Sequence, residues 1–174
     1  TFSEAVLLAG ARPVAAPTRE KHGFRVTARL VKRALTRRTR AVLVNSPGNP
    51  TGAVIERREL LAIAELARRR DFTVLYDDTY ARMVFDGAAG APDLQRARDV
   101  AGERFVVLGT ASKSFCMTGW RLGYCGGPKE IVTAMSTIQG QSTSNASSIT
   151  QRAAVVALNG DQQNIVNFSG ETYR

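Results

Sequence analysis

Three short, mostly apolar runs are the strongest pattern in the sequence, at positions 41–44, 72–76 and 105–108. Each run is rich in β-branched or aromatic residues, and none shows the strict alternation of apolar and polar positions found in half-buried strands. Continuous apolar runs of this length are typical of strands that are buried on both faces of a parallel sheet. The pattern therefore predicts three parallel strands at the centre of the fold.

Helical periodicity fills much of the chain around these strands. Apolar residues recur at helical spacing from Glu56 to Arg70, which predicts a βαβ unit with a right-handed crossover between the first two strands. Further helices are expected at 26–35, 130–138 and 146–158, and further strands at 80–85 and 121–125. Together these elements predict one α/β domain with a mostly parallel central sheet.

The charge balance raises the possibility of a nucleic-acid partner, but the arrangement of the charges does not support it. The chain has 24 basic and 15 acidic residues, a net charge of +9, and its densest basic runs lie on or just after helical patterns. No aromatic residues interleave with these runs to stack on bases. Solvated helix faces explain these basic runs, so no nucleic-acid partner is expected. No membrane partner is expected either, since no apolar run approaches the ~20 residues that span a bilayer.

The few cysteines and histidines limit the possible chemistry in a similar way. Cys116, Cys125 and His22 are the whole set, and their spacing fits no zinc or disulfide motif. Two unpaired thiols suit a reducing cytoplasm. We therefore expect a cytoplasmic protein without a metal site.

Polar and ionisable residues follow each of the three predicted strands. The first strand leads into residues 45–52, the second ends at Asp77-Asp78, and the third ends at residues 110–113. The carboxyl ends of parallel strands form the edge at which open α/β sheets bind ligands. A purely structural protein does not require such a coincidence, so these segments are candidates for one site.

Lys113 is the first candidate for chemistry within these segments. It is one of four lysines, and it follows a buried strand between small hydroxyl residues. A lone lysine is usually a surface charge. An amine at the mouth of a buried sheet, however, can lose its hydration and proton and become a nucleophile for Schiff-base formation.

Asp77, Tyr80 and Arg121 are the other ionisable candidates. A carboxylate directly after a buried strand needs a partner, and a protonated pyridine nitrogen is one that fits. Tyr80 could direct its phenol towards the same ring. Arg121 lies among glycines and aromatics, where a planar guanidinium suits a phosphate, with hydroxyl donors from Thr110 and Ser112. Each signal is weak alone, but together they describe a site for a phosphorylated, aldehyde-bearing aromatic cofactor.

Three of these segments also resemble known signatures. Residues 45–52, 76–80 and 112–124 resemble the motifs of class I and II aminotransferases, which are fold-type I enzymes that depend on pyridoxal phosphate. The third motif, in which the lysine and arginine lie eight positions apart, is the most specific. Residues 139–145 further resemble bacterial aspartate aminotransferases. The resemblance spans nearly the whole chain.

The resemblance implies a role for each matching residue. Lys113 is expected to carry the cofactor as a Schiff base and to move the proton between the substrate α-carbon and the cofactor. Asp77 is expected to pair with the pyridine nitrogen. Tyr80 and Asn49 are expected to hydrogen-bond the phenolic oxygen, and Asn49 also to help bind the substrate carboxylate.

The phosphate end of the cofactor is assigned in the same way. The resemblance implies that Arg121 holds the phosphate, with Ser112 and Thr110 beside it. Two departures from the family pattern bear on the site. Asp78 stands where the family more often has glutamate, and Gly109 belongs to a segment that replaces a commoner Asn-Gly, which leaves the role of Thr110 open.

For the chain as a whole, the resemblance implies a three-layer α/β/α fold and a particular reaction. We expect residues 1–174 to form part of the large, cofactor-binding domain, without the small C-terminal domain, and to assemble as a homodimer. The reaction implied is transfer of an amino group from an aspartate-like amino acid to a 2-oxo acid. A carbon–sulfur lyase that uses the same cofactor, or a non-catalytic domain of this fold, are the alternatives.

Overall fold

The computed structural model describes residues 2–84 and 92–160, which contain seven α-helices and four strands. The helices are α1 (Phe2–Leu8), α2 (Ala28–Ala34), α3 (Arg57–Arg70), α4 (Leu94–Ala101), α5 (Ala111–Ser114), α6 (Lys129–Ser142) and α7 (Ser148–Asn159). The strands are β1 (Ala41–Asn45), β2 (Thr73–Asp77), β3 (Phe105–Thr110) and β4 (Gly123–Gly126). Short 3-10 turns lie at Glu20–His22 and Thr118–Trp120.

One four-stranded sheet, in the order β1-β2-β3-β4, organises the chain. The first three strands are parallel, and β4 pairs antiparallel with β3. The register places Asn45 beside Asp77, and Asp77 beside Leu108, so the carboxyl ends of the parallel strands lie together. The predicted α/β class and mostly parallel sheet are confirmed.

The core lies between one face of the sheet and helices α2, α3 and α4. From the strands it takes side chains that alternate along each of them, Val44, Val74, Tyr76 and Phe105. From α3 it takes the stripe predicted by helical spacing, Leu60, Ile63, Ala64 and Ala67. Because crossovers of one hand between sequential strands place their helices on the same face, α3 and α4 lie side by side.

The opposite face of the sheet is less covered than the apolar runs predict. In β1, Val44 is 3% exposed on the helix side, whereas Leu43 on the other side is 37% exposed. The expectation of strands buried on both faces is therefore wrong for β1. The physical reason is that both crossover helices pack on the side of Val44.

The predicted strand from Tyr80 to Phe85 is also wrong over its described part, residues 80–84, while Phe85 lies outside the described residues. The chain instead turns twice, since the Ala81 N–H donates to the Asp78 carbonyl at 3.1 Å and the Met83 N–H to the Tyr80 carbonyl at 2.9 Å. These turns follow β2 directly, where side-chain contacts to Asp77 redirect the backbone. Apolar content alone does not reveal such a turn.

The later predicted strand, 121–125, begins two residues late. Arg121 has a left-handed backbone with φ of 53°, which a regular strand cannot contain, and pairing starts at Gly123. The four predicted helices are all present with shifted ends. Helices α1, α4 and α5 were not predicted. In α4 only Ala97 and Ala101 are buried, so its apolar stripe is faint, although Asp93 caps its first turn.

The arginine-rich stretch at the end of α3 lies on a solvated helix face, as predicted. Glu65 accepts hydrogen bonds from both Arg68 and Arg69 at 2.8–3.2 Å, and these pairs lower the pKa of its carboxyl. Such exposed pairs add little stability. Within residues 2–84 and 92–160, no helix is long and apolar enough to cross a membrane.

The β3–β4 pair depends on close contact between a glycine and an aromatic ring. Gly109 lies opposite Tyr124, and a Cβ added to Gly109 would meet the Tyr124 ring at 2.4 Å from Cε2. The tyrosine ring therefore covers the bare backbone of Gly109, a pairing that stabilises sheets containing glycine. This packing explains glycine just before Thr110, where the family resemblance leads one to expect a different residue.

We predict that Gly109→Ala lowers the free energy of unfolding by about 1 kcal/mol, because the new methyl group displaces the Tyr124 ring. Urea denaturation followed by circular dichroism measures the change. Gly126→Ala is the matched control, since it lies in β4 with no atom within 4 Å of its added Cβ. Equal midpoints for the two variants would contradict the packing argument.

Candidate functional site

The candidate residues come from the ends of three adjacent strands. β1 ends at Asn45, β2 at Asp77 and β3 at Thr110, and the sheet order places β2 between the other two. The backbone continues this alignment beyond the strands, because the Ser46 N–H donates to the Asp77 carbonyl at 3.2 Å and the Asp78 N–H to the Leu108 carbonyl at 2.8 Å. The segments predicted to form one site therefore share one edge.

Buried Ser46 anchors the loop that follows β1. Its carbonyl accepts a hydrogen bond from the Tyr76 hydroxyl at 3.1 Å, and its Oγ accepts one from the Ile55 N–H at 2.8 Å. Burial raises the pKa of the Tyr76 phenol, which therefore stays a neutral donor. These bonds hold both ends of the loop, within which Gly52 takes a left-handed conformation.

Asn49 and Tyr80, the two residues predicted to bind the cofactor's phenolic oxygen, contact each other directly. The Asn49 side-chain amide donates to the Tyr80 hydroxyl at 3.0 Å. Asn49 comes from the loop after β1, and Tyr80 from the turn after β2. An amide donor and a phenol that touch each other can also converge on one external oxygen atom.

The Asp77 carboxylate is held at both of its oxygens. Oδ1 accepts hydrogen bonds from the Thr79 hydroxyl at 2.6 Å and from the Thr79 N–H at 3.1 Å. Oδ2 accepts one from the Asn45 side-chain amide at 3.1 Å. A carboxylate offers about four acceptor positions, so one remains for a further donor.

Asp78 differs strongly from its neighbour. Burial, with a smaller contribution from the charge of Asp77, raises the pKa of the Asp78 carboxyl to about 6. The Asp77 carboxylate accepts three hydrogen bonds, whereas burial disfavours the anion of Asp78. The sequence does not show this division.

Thr110 and Ser112 surround the start of helix α5. The Thr110 hydroxyl caps the helix by accepting the Ser112 N–H at 3.1 Å, and it donates to the Leu122 carbonyl at 2.8 Å. The two hydroxyl oxygens lie 2.9 Å apart. The single proton of the Thr110 hydroxyl is directed at both the Leu122 carbonyl and the Ser112 hydroxyl oxygen, so the Ser112 proton is left for another acceptor.

Lys113 lies on α5, not on an extended segment after β3. It is half-buried, and within the described ranges its amine forms no ion pair or hydrogen bond. A half-buried amine without a fixed partner is accessible for Schiff-base chemistry. Its position after β3 places it at the same sheet edge as Asp77 and Asn49.

Arg121 occupies a turn that borders a cleft of about 850 Å³. Its guanidinium donates to the Thr118 carbonyl at 3.0 Å and is otherwise exposed. The other cleft walls come from residues 116–123, the end of α6 and the start of α7. Lys113 and Asp77 do not line this cleft, so the structure joins Asn49, Tyr80 and Asp77 more closely to one another than to Arg121.

Two members of this site were missed from the sequence, Asn45 and Thr79. Both touch Asp77 through their side chains. Thr79 had a signal, because an aspartate whose side chain bonds the backbone two positions on is a common turn. For Asn45 the signal was its position as a polar residue that ends a buried strand, which gains meaning only from the register with Asp77.

Comparison with known proteins gives consistent matches over this whole span. The family model described as Aminotransferase class I and II matches residues 1–174. The aspartate/prephenate aminotransferase of Nitrosomonas europaea is 42% identical over 167 residues, which is 95% of this chain and 42% of that protein. The aspartate aminotransferase of Geobacillus stearothermophilus is 37% identical over 94% of this chain and 41% of its own length. The chain thus spans less than half of these relatives.

Solved structures agree with this result. The structure of the aspartate aminotransferase from Thermus thermophilus with maleate has a TM-score of 0.92 at 38% identity. The match covers all of this chain and 45% of that protein. The aspartate aminotransferase from Rhizobium meliloti has a TM-score of 0.89 at 38% identity. The fold described here is that of fold-type I enzymes.

The pKa of Asp78 predicts a specific dependence of stability on pH. Its carboxyl binds a proton more tightly in the folded protein, with a pKa of about 6 against the ordinary 3.8 of an aspartate, so stability falls as pH rises between these values. We predict that Asp78→Asn gains about 1 kcal/mol over wild type across that window, allowing for solvent screening. Thermal denaturation from about pH 4 to pH 7 measures the difference. Asp99→Asn, at the surface, is the control and should show no such trend.

The positions of the motifs, the order of the strands and the span of the family match all indicate the same family. The lysine of the 112–124 segment, the aspartate that ends β2 and the asparagine after β1 stand at one sheet edge, within a fold shared by aspartate aminotransferases. Enzymes of this kind depend on pyridoxal phosphate. The chain therefore belongs to the class I and II aminotransferase family.

Proposed function

We propose that this chain carries the cofactor centre of an enzyme that transfers an amino group from an aspartate-like amino acid to a 2-oxo acid. The observation that supports this most directly is the sheet edge at which Asn45 connects Asp77 to Asn49 by hydrogen bonds, and Asn49 in turn binds Tyr80. Lys113, whose amine is unpaired within the described residues, follows β3 on the same edge.

The residues present fit a pyridoxal ring. Asp77 has one acceptor position left, which suits the N–H of a protonated pyridine and keeps that proton in place. Asn49 and Tyr80 suit the ring's phenolic oxygen, and Lys113 supplies the amine that bonds the aldehyde. When bound, pyridoxal phosphate supplies the electron sink that stabilises a carbanion at the substrate α-carbon.

The Lys113 amine would also be the base that moves the α-proton, because it follows β3 at the same sheet edge and is bound to no other described side chain. Asp77, held at both oxygens, can stabilise positive charge at the ring without moving. The two groups therefore divide the work between proton transfer and charge stabilisation.

At the phosphate end we propose Arg121 and Ser112 as the main donors. Arg121 has one contact, to the Thr118 carbonyl, and its remaining N–H groups point to solvent. Ser112 lies at the first turn of α5, and Thr110 holds it there by accepting its N–H. Thr110 thus positions Ser112 and lies beside the two residues proposed to donate to the phosphate.

The substrate class is inferred from the relatives. Several relatives of this chain are named for aspartate or for aspartate and prephenate, and one solved structure contains maleate, a four-carbon dicarboxylate. We propose Asn49 as a contact for the substrate α-carboxylate. We also propose that residues 1–174 belong to the large, cofactor-binding domain of such an enzyme.

A homodimer is part of the proposal, and the surface of α7 supports it. Ile149 and Val156 are each 72% exposed, and Val155 and Leu158 on the same helix are more than half exposed. Exposed apolar side chains gathered on one helix mark an interaction surface. A cytoplasmic location is proposed from the two free thiols, Cys116 and Cys125.

We predict that borohydride reduction of the chain with pyridoxal phosphate fixes the cofactor to Lys113. Peptide mapping by mass spectrometry locates the modification. Lys113→Ala should abolish the labelling at that peptide, and Lys113→Arg should do the same while keeping the charge. Lys129→Ala, which removes an exposed lysine, is the matched control and should label normally.

Product analysis then separates the reactions. Aspartate with 2-oxoglutarate should yield a new amino acid and a keto acid, and release of ammonia and pyruvate from a cysteine-like substrate would instead support the lyase. Labelling at Lys113 with no turnover of either kind would indicate a non-catalytic cofactor domain. Covalent cofactor retained by Lys113→Ala would contradict the assignment altogether.

For the homodimer, we predict that Val156→Glu shifts the chain to monomer in sedimentation velocity, because a charge on the α7 surface must be desolvated on association. Val14→Glu makes the same change at an exposed valine outside α7 and serves as control. A wild-type chain that sediments as a monomer at every concentration would overturn the proposed dimer.

A further inference from the structure

Asn45 occupies a position between the two parts of the proposed site. It is the last residue of β1, and the parallel register places it directly beside Asp77 at the end of β2. It is half-buried, and its side chain points along the same edge. The sequence predicts no role for Asn45, which is the first residue of the 45–52 segment.

Both ends of the Asn45 carboxamide are used. Its nitrogen donates to Asp77 Oδ2 at 3.1 Å, and its oxygen accepts the backbone N–H of Asn49 at 2.8 Å. One side chain therefore connects the carboxylate proposed for the ring nitrogen with the loop residue proposed for the phenolic oxygen. Asn49 in turn reaches Tyr80 at 3.0 Å, so the connection is continuous.

The connection fixes the carboxylate in a particular orientation. Thr79 binds Oδ1 through two donors, and within residues 2–84 and 92–160 it is Asn45 that donates a hydrogen bond to Oδ2. A carboxylate held at only one oxygen can still rotate or change its hydrogen-bonding geometry. With both oxygens held, its one remaining acceptor position has a defined direction.

We propose that Asn45 is a positioning residue that sets the placement of Asp77 relative to Asn49 and Tyr80, and so matches them to the ring nitrogen and the phenolic oxygen of one pyridoxal ring. This inference rests on the proposed function and adds a residue to it. Asn45 acts through its neighbours and does not itself touch the cofactor.

The chemistry of the residue explains why it is an amide. A carboxamide of this size donates at one end and accepts at the other, and both are needed here. Aspartate in its place keeps the acceptor for the Asn49 N–H but sets a second carboxylate against Asp77. Leucine has the same number of side-chain heavy atoms and the same branching, and it offers neither. Asn45→Asp therefore removes the hydrogen bond to Asp77 alone, and Asn45→Leu removes the hydrogen bonds to both Asp77 and Asn49.

The experiment uses the full chain with Asn45→Asp, Asn45→Leu and, as control, Asn159→Asp, which makes the same amide-to-carboxylate change at an exposed helix end. Two properties are measured from about pH 5 to about pH 8. One is the dissociation constant and absorption spectrum of added pyridoxal phosphate. The other is hydrogen exchange of the Asn49 backbone amide by NMR without cofactor.

At the upper pH we expect Asn45→Asp to bind the cofactor about tenfold more weakly than wild type, the size of one lost hydrogen bond to a charged group. The difference in dissociation constant between Asn45→Asp and wild type should shrink towards pH 5. There the carboxyls at positions 45 and 77 share a proton, which restores a hydrogen-bond donor between them. Its Asn49 amide should stay protected. Asn45→Leu should weaken binding at every pH and speed exchange of Asn49 about tenfold.

Two results would overturn the inference. One is a cofactor affinity of Asn45→Asp equal to wild type across the whole pH range, and the other is full protection of the Asn49 amide in Asn45→Leu. A wild-type chain that binds no pyridoxal phosphate would overturn the proposed function, and the Asn49 amide would still decide whether Asn45 connects the two segments.

Discussion

Parallel pairing of β1 with β2 is the constraint on which the rest of the site depends. Parallel strands end at the same edge, and the register that sets Val44 beside Tyr76 in the core also sets Asn45 beside Asp77 at that edge. A shift by one residue would turn the core-facing side chains away from α3 and move the carboxylate to the other face. The burial of apolar side chains therefore fixes the position of the polar ones.

The polar residues then stabilise one another at the sheet edge. Tyr76 is fully buried within the core, yet its hydroxyl reaches the Ser46 carbonyl and ties the loop after β1 to β2. Asp77 accepts three hydrogen bonds, while its neighbour Asp78 is disfavoured as an anion by burial. Two adjacent carboxyls thus acquire different chemistry from their surroundings, a division that active sites commonly use.

Local sequence patterns predicted some elements well and others poorly for identifiable reasons. Helix α3 has a complete apolar stripe and was predicted to within one residue, whereas α4 buries only alanines and was missed. The segment after Asp77 is apolar enough to suggest a strand, but the hydrogen bonds of Thr79 to Asp77 begin a turn there. Periodicity reports burial, and it does not report which side chains bond the backbone.

The sequence by itself determined the α/β class, the three central strands and the candidates Lys113, Asp77, Asn49 and Arg121, because strand runs and motif spacing are local properties. Only the tertiary structure showed that Asn49 meets Tyr80, that Arg121 lies in a turn beside a separate cleft, and that Asn45 joins Asp77 to the loop. These contacts join residues about 30 positions apart, and the register and crossovers that bring them together depend on packing of the whole sheet.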